Sequence, residues 1–92
     1  MSLIIKITSE LEDEDYLINK LIKISEYALI NNATLEYYCK SGVWSIVAAV
    51  YKTLYGGKLF CIKGDKVPAL VENCVDVWLD DDSEFKKCID II

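Results

Sequence analysis

The stretch TLEYYCKSGVWSIVAAVYKTLYGGKLFCI, residues 34–62, decides the fold. Residues 34–39 are β-branched and aromatic, as a strand prefers. Ser41-Gly42 then turns the chain. From Val43 to Tyr55 apolar residues recur at spacings of three and four, the period of a helix. Gly56-Gly57 stops that helix, and residues 58–62 form a second apolar strand. A strand, a helix and a strand joined this tightly make a βαβ unit, whose two strands run parallel.

The flanking sequence extends the same alternation. Residues 3–7 are a short apolar run that reads as a buried strand. Ser9-Glu10-Leu11-Glu12 fits a capping box opening a helix. Leu17, Leu21, Ile24 and Ala28 recur at helical spacing, with Ile18, Ile22 and Leu29 alongside. Acidic residues crowd the first turn, Lys20 and Lys23 follow, and Asn31-Asn32 is a stop. Beyond residue 62, Pro68 suits the first turn of a short helix through about Asn73. Residues 75–79 form a fourth strand, with Val75, Val77 and Leu79 on one face. Asp82 or Ser83 caps a last helix on which Phe85, Cys88, Ile89 and Ile92 share a face. The expected order is βαβαβαβα. That order predicts a single three-layer α/β domain over residues 1–92, with a mainly parallel four-stranded sheet and helices on both faces.

Within the 43–55 helix, Val43, Ile46, Val47, Val50 and Leu54 form one apolar stripe, expected to face the core. Trp44, Ala48, Tyr51 and Tyr55 form another. A helix apolar on two sides exceeds what one small sheet can cover. Trp44, Tyr51 and Tyr55 are therefore expected at a subunit interface.

Composition narrows the chemistry. The chain has 92 residues, 53% hydrophobic, enough for one modest core and high for its size, which suggests self-association. It has no His and no Arg. Imidazole catalysis and guanidinium phosphate clamps are therefore excluded, and a thiol is the natural nucleophile. A net charge of −5, with scattered lysines, argues against nucleic acid. No apolar run reaches membrane-spanning length, and the acidic segment after the first strand is unlike a signal peptide. The expectation is a cytoplasmic protein with reduced thiols. Its four cysteines show no C-x-x-C spacing and have no histidine beside them, so neither a metal nor any other cofactor is expected.

Two of those cysteines, Cys39 and Cys61, close strands at the carboxyl end of the sheet, where parallel α/β domains bind ligands. Each is followed by a lysine-containing loop. Cys61 is the candidate reactive thiol, with Gly64 letting a partner's backbone approach and Lys63 and Lys66 favouring thiolate. Cys39, Ser41 and Gly42 are candidate binding residues, because a turn opening a helix presents N–H groups to an anion. The plain alternative is that both cysteines pack as small hydrophobes. Cys74 and Cys88 fall on apolar helix positions and read as core. Asp80-Asp81-Asp82 reads as a solvated helix start rather than a cation site.

Residues 39–45, Cys-Lys-Ser-Gly-Val-Trp-Ser, resemble the rhodanese active loop, but Trp44 stands where that loop carries an arginine. From about Thr34 onward the chain more broadly resembles the DsrE/DsrH/TusBCD-like sulfur-relay family. The resemblance rests on Ser41-Gly42-Val43 before a helix and on Gly57-Lys58-Leu59-Phe60-Cys61-Ile62-Lys63-Gly64-Asp65. It also rests on Val75-Asp76-Val77-Trp78-Leu79 followed by Asp82-Ser83-Glu84-Phe85. It implies a small α/β subunit of a homo-oligomer or of a hetero-complex of related subunits. The partners would be sulfur donor and acceptor proteins. Active members carry sulfur as a cysteine persulfide just after the third strand, which Cys61 matches, whereas several DsrH-type members are structural. The family's Arg-Gly after that thiol is replaced here by Val67-Pro68-Ala69-Leu70. The Ser41-Gly42 turn and Gly56-Gly57-Lys58-Leu59 are also similar to STAS domains, which act by binding partners without catalysis. The expected function is a sulfur-relay carrier or a structural subunit of such a complex, with a non-catalytic interaction domain as the alternative.

Overall fold

A computed structural model describes residues 3–39 and 42–90. The elements in chain order are β1 (Leu3–Thr8), α1 (Glu14–Ile30), β2 (Ala33–Cys39), α2 (Val43–Tyr55), β3 (Lys58–Ile62), α3 (Ala69–Glu72) and β4 (Val77–Leu79). A 3-10 turn (Ser83–Lys87) and β5 (Ile89–Asp90) follow. All the strands are parallel, in one five-stranded sheet of order β4-β3-β2-β1-β5.

The α/β class stands, and two details of the expected architecture are corrected. The first is the strand count. The segment after Asp82 makes one 3-10 turn rather than a helix, and Cys88 is extended. Ile89 and Asp90 then pair with Ile7 and Thr8 on the outer side of β1. That edge would otherwise be bare, and ladder hydrogen bonds compete successfully with so short a helix. Of the face expected for this helix, Ile92 lies outside the described residues.

The second correction is the layering. The connections from β1 through β4 all advance across the sheet in one direction, so right-handed crossovers put α1, α2 and α3 on the same face. The core is accordingly one-sided. Ile5, Ile7, Leu35, Tyr37, Leu59 and the two strand cysteines pack against Leu17, Leu21, Val47, Ala48 and Val71. The other face carries Tyr38 stacked on Phe60, with ring centroids 4.6 Å apart, and Phe85 edge-on to Tyr38 at 5.7 Å. Among the described residues, the 3-10 segment covers it, with Phe85 against Tyr38 and Lys6 bonded to Glu84 at 3.4 Å.

Local differences have equally local causes. The cap of α1 is Asp13, whose Oδ1 accepts the Tyr16 N–H at 3.1 Å, while Ser9 closes a small turn by accepting the Leu11 N–H. In α2 the buried residues are Trp44, Ser45, Val47, Ala48 and Ala49, and Ile46, Val50 and Leu54 face outward. The helix is thus rotated from the stripe expected to be core. Small Ala48 and Ala49 let it approach the sheet closely. Val75 precedes β4 rather than belonging to it.

Candidate functional site at the carboxyl edge of the sheet

Cys39 and Cys61 are paired residues in the β2–β3 ladder, and both point to the helical face. Each is 0% exposed. A hydrogen bond between the two thiols acts on them in opposite directions. The bond to Cys61, then burial and the Asp65 carboxylate, push the Cys39 thiol far up. Accepting that bond holds Cys61 below an ordinary thiol, against burial and Asp65, which both act upward.

Among the described residues, no lysine contributes to this balance. Lys63 turns outward to Asp80, with Nζ 2.9 Å from Oδ1, and Lys66 is exposed. Both line an open depression of about 710 Å³ with Gly64, Asp65, Glu72 and Trp78, and Cys61 is not part of its wall. Among the described residues, the charged side chain that acts on both thiols is the Asp65 carboxylate. Gly64 has a φ of +87° and open space around its Cα, in keeping with a tight turn.

The start of α2 is also not an empty anion site. Glu12, from the loop after β1, accepts the Val43 N–H through Oε2 at 3.3 Å. A Cβ on Gly42 would lie 2.6 Å from Glu12 Oε1, so glycine there lets the carboxylate dock. The internal carboxylate takes the place an external anion would need. Ser45 Oγ donates to the Gly42 carbonyl at 2.7 Å. Ser41 lies outside the described residues, as does Lys40.

Trp44, expected at an interface, is a core residue at 1% exposure. Its Nε1–H donates to the Tyr38 carbonyl at 2.8 Å, and Thr8 Oγ1 donates to the same oxygen at 2.8 Å. With the ladder ending there, the two side chains satisfy a carbonyl that would otherwise be buried and unpaired. This knot of Thr8, Tyr38 and Trp44 was not expected, although an indole inside an apolar stripe always needs an acceptor. Tyr51 is half-buried and Tyr55 exposed, their rings 5.4 Å apart.

Cys74 and Cys88 are partly buried, and all four cysteines are free. Burial raises Cys88 to about 11. Among the described residues no group of three or more His, Cys, Asp or Glu side chains could hold a metal ion. Asp81 Oδ1 instead accepts the Ser83 N–H at 2.9 Å, a local turn contact. No helix among the described residues is long and apolar enough to cross a membrane. Comparison with known proteins finds no matching family model, curated protein or solved structure.

Proposed function

We propose that this chain is an assembly subunit of a cytoplasmic sulfur-relay type complex, binding related subunits rather than carrying sulfur on its own thiol. The link to sulfur relay rests on the sequence resemblance, whose segments fall in α2, in β3 with its following loop, and in β4 with the 3-10 turn. The observation that carries the assembly role is where apolar surface is spent. Both strand thiols are fully buried, while Ile46, Val50 and Leu54, on one face of α2, are 41%, 40% and 66% exposed. An apolar helix face of this kind marks a contact with another subunit.

The test pairs thiol mapping with assembly. Native alkylation should modify neither Cys39 nor Cys61, and sedimentation should give a defined oligomer, alone or with related subunits. Ile46→Glu with Leu54→Glu should abolish the oligomer and leave the melting temperature nearly unchanged. A monomeric protein with a rapidly alkylated Cys61 would overturn the proposal.

The carrier reading stands second: Cys61 lies beside Cys39 in the β2–β3 ladder, and the hydrogen bond from Cys39 acts downward on its thiol. In that scheme Cys61 thiolate attacks the outer sulfur of a donor persulfide. The new S–S bond makes Cys61 persulfide, and the donor leaves as thiolate, so no outside oxidant is required. It demands that the segment over Cys61 open first. A protein that assembles with partners unrelated to sulfur transfer would point instead to the STAS-like interaction role.

A further inference from the structure

β5 is only two residues long, and it pairs with Ile7 and Thr8 alone. Among the described residues, the outer side of β1 from Leu3 to Lys6 therefore has no strand against it. Along a parallel strand, alternate residues turn their N–H and C=O to that side. This stretch of edge is a template for one more strand.

The edge lies in a groove of about 680 Å³. Its floor is β1, and Ile24 and Tyr27 of α1 with Ile89 form its apolar walls. Among the described residues its charged lining is Lys6, Lys23 and Lys87. That is notable in a chain with 15 acidic and 10 basic residues. The rim already holds one carboxylate, since Glu84 reaches Lys6 at 3.4 Å and Lys87 at 3.6 Å.

We infer that this groove binds an extended segment of a partner protein, alternating apolar and acidic, which adds to the sheet beside β1. Main-chain bonds to the bare edge supply affinity, apolar side chains enter the groove, and carboxylates meet the lysine rim. A second copy of this chain is the wrong occupant. Edge-to-edge pairing of two copies would set the three lysines of each against those of the other. The inference rests on the assembly reading only for the existence of a partner, and the surface it names is distinct from the outer face of α2.

The experiment titrates the folded protein with short labelled peptides that alternate Glu and Val, or Lys and Val. A third peptide alternates Glu and Val with its backbone N-methylated on the pairing side. The acidic peptide should bind at least about tenfold more tightly than the basic one, weaken with salt, and slow amide exchange in Leu3–Thr8. N-methylation should abolish binding. Lys23→Glu with Lys87→Glu, both exposed positions, should reverse the preference while the melting temperature holds. Equal affinity for both charges, binding that survives N-methylation, no change in exchange along β1, or a homodimer formed through this edge would each overturn the inference. Loss of the α2 oligomer in the earlier experiment leaves these outcomes unaffected.

Discussion

Asp76 ties three elements together, and its removal should be costly for a residue outside the core. Its Oδ2 accepts the Leu59 N–H at 2.7 Å, and its own N–H donates to the Leu59 carbonyl at 2.8 Å. The same carboxylate lies 3.3 Å from Lys52 Nζ on α2, and Lys52 also donates to the Cys74 carbonyl at 3.1 Å. In Asp76→Ala the N–H of fully buried Leu59 loses its acceptor, which costs about 1–3 kcal/mol. Loss of the part-exposed ion pair adds at most about 1 kcal/mol. The expected total is about 2–3 kcal/mol, or a melting temperature about 10–20 °C lower for a domain this size. Asp76→Asn keeps an acceptor oxygen and loses only the charge, so about 1 kcal/mol is expected. Urea unfolding followed by tryptophan fluorescence reads both. An Ala variant within about 0.5 kcal/mol of wild type, or an Asn variant as damaged as Ala, would refute the reasoning.

Three further outcomes follow from single observations. Gly57 has a φ of +109°, and a Cβ there would run into the Leu35 carbonyl oxygen, so Gly57→Ala should lose more than about 2 kcal/mol in chemical denaturation. The Tyr37 hydroxyl is buried without a partner among the described residues, so Tyr37→Phe should be neutral or gain up to about 1 kcal/mol at neutral pH by the same assay. Burial raises both Tyr37 and Tyr38 to about 12, with Glu36 also acting upward on Tyr38. Folding therefore favours the neutral phenols. That stability is fully present below the ordinary value of 10.0 and is lost as pH rises from 10 toward 12, a fall that urea midpoints and tyrosinate absorbance should follow and Tyr37→Phe should lessen.

The elements from β1 to β3 were legible because each carries its own signal. Leu17, Leu21 and Ala28 gave the buried line of α1, and Gly56-Gly57 gave the end of α2. The rotation of α2 was not legible, because both its stripes are apolar, so period alone identifies a helix without saying which side is buried. The last segment misled for a different reason. Phe85, Cys88 and Ile89 do fall at helical spacing, but Ile89 has a better partner in Ile7, far away in sequence. The site was legible only as residue types. Sequence placed Cys39 and Cys61 at strand ends, yet their pairing depends on the β2–β3 register. Glu12 caps α2 from 31 positions away, a relation no local pattern carries.

Parity along a strand decides what the thiols can do. Cys61 shares its face with Leu59, and that face lies under the helices, whereas Phe60 and Ile62 point to the side that, among the described residues, carries the 3-10 segment and no α-helix. Moving a side chain by one residue in a strand moves it to the opposite face. A thiol at position 62 should therefore meet solvent reagents without displacing α2 or α3. In a Cys61→Val, Ile62→Cys variant, native alkylation at position 62 should be at least about tenfold faster than at Cys61 in wild type. Mass mapping of the alkylated peptides measures both. If the two positions react at equal rates, burial is not what restrains Cys61, and the case against a carrier thiol fails. If position 62 reacts and Cys61 does not, one-sided helix packing is sufficient to silence the native thiol. The domain would then work through its surfaces.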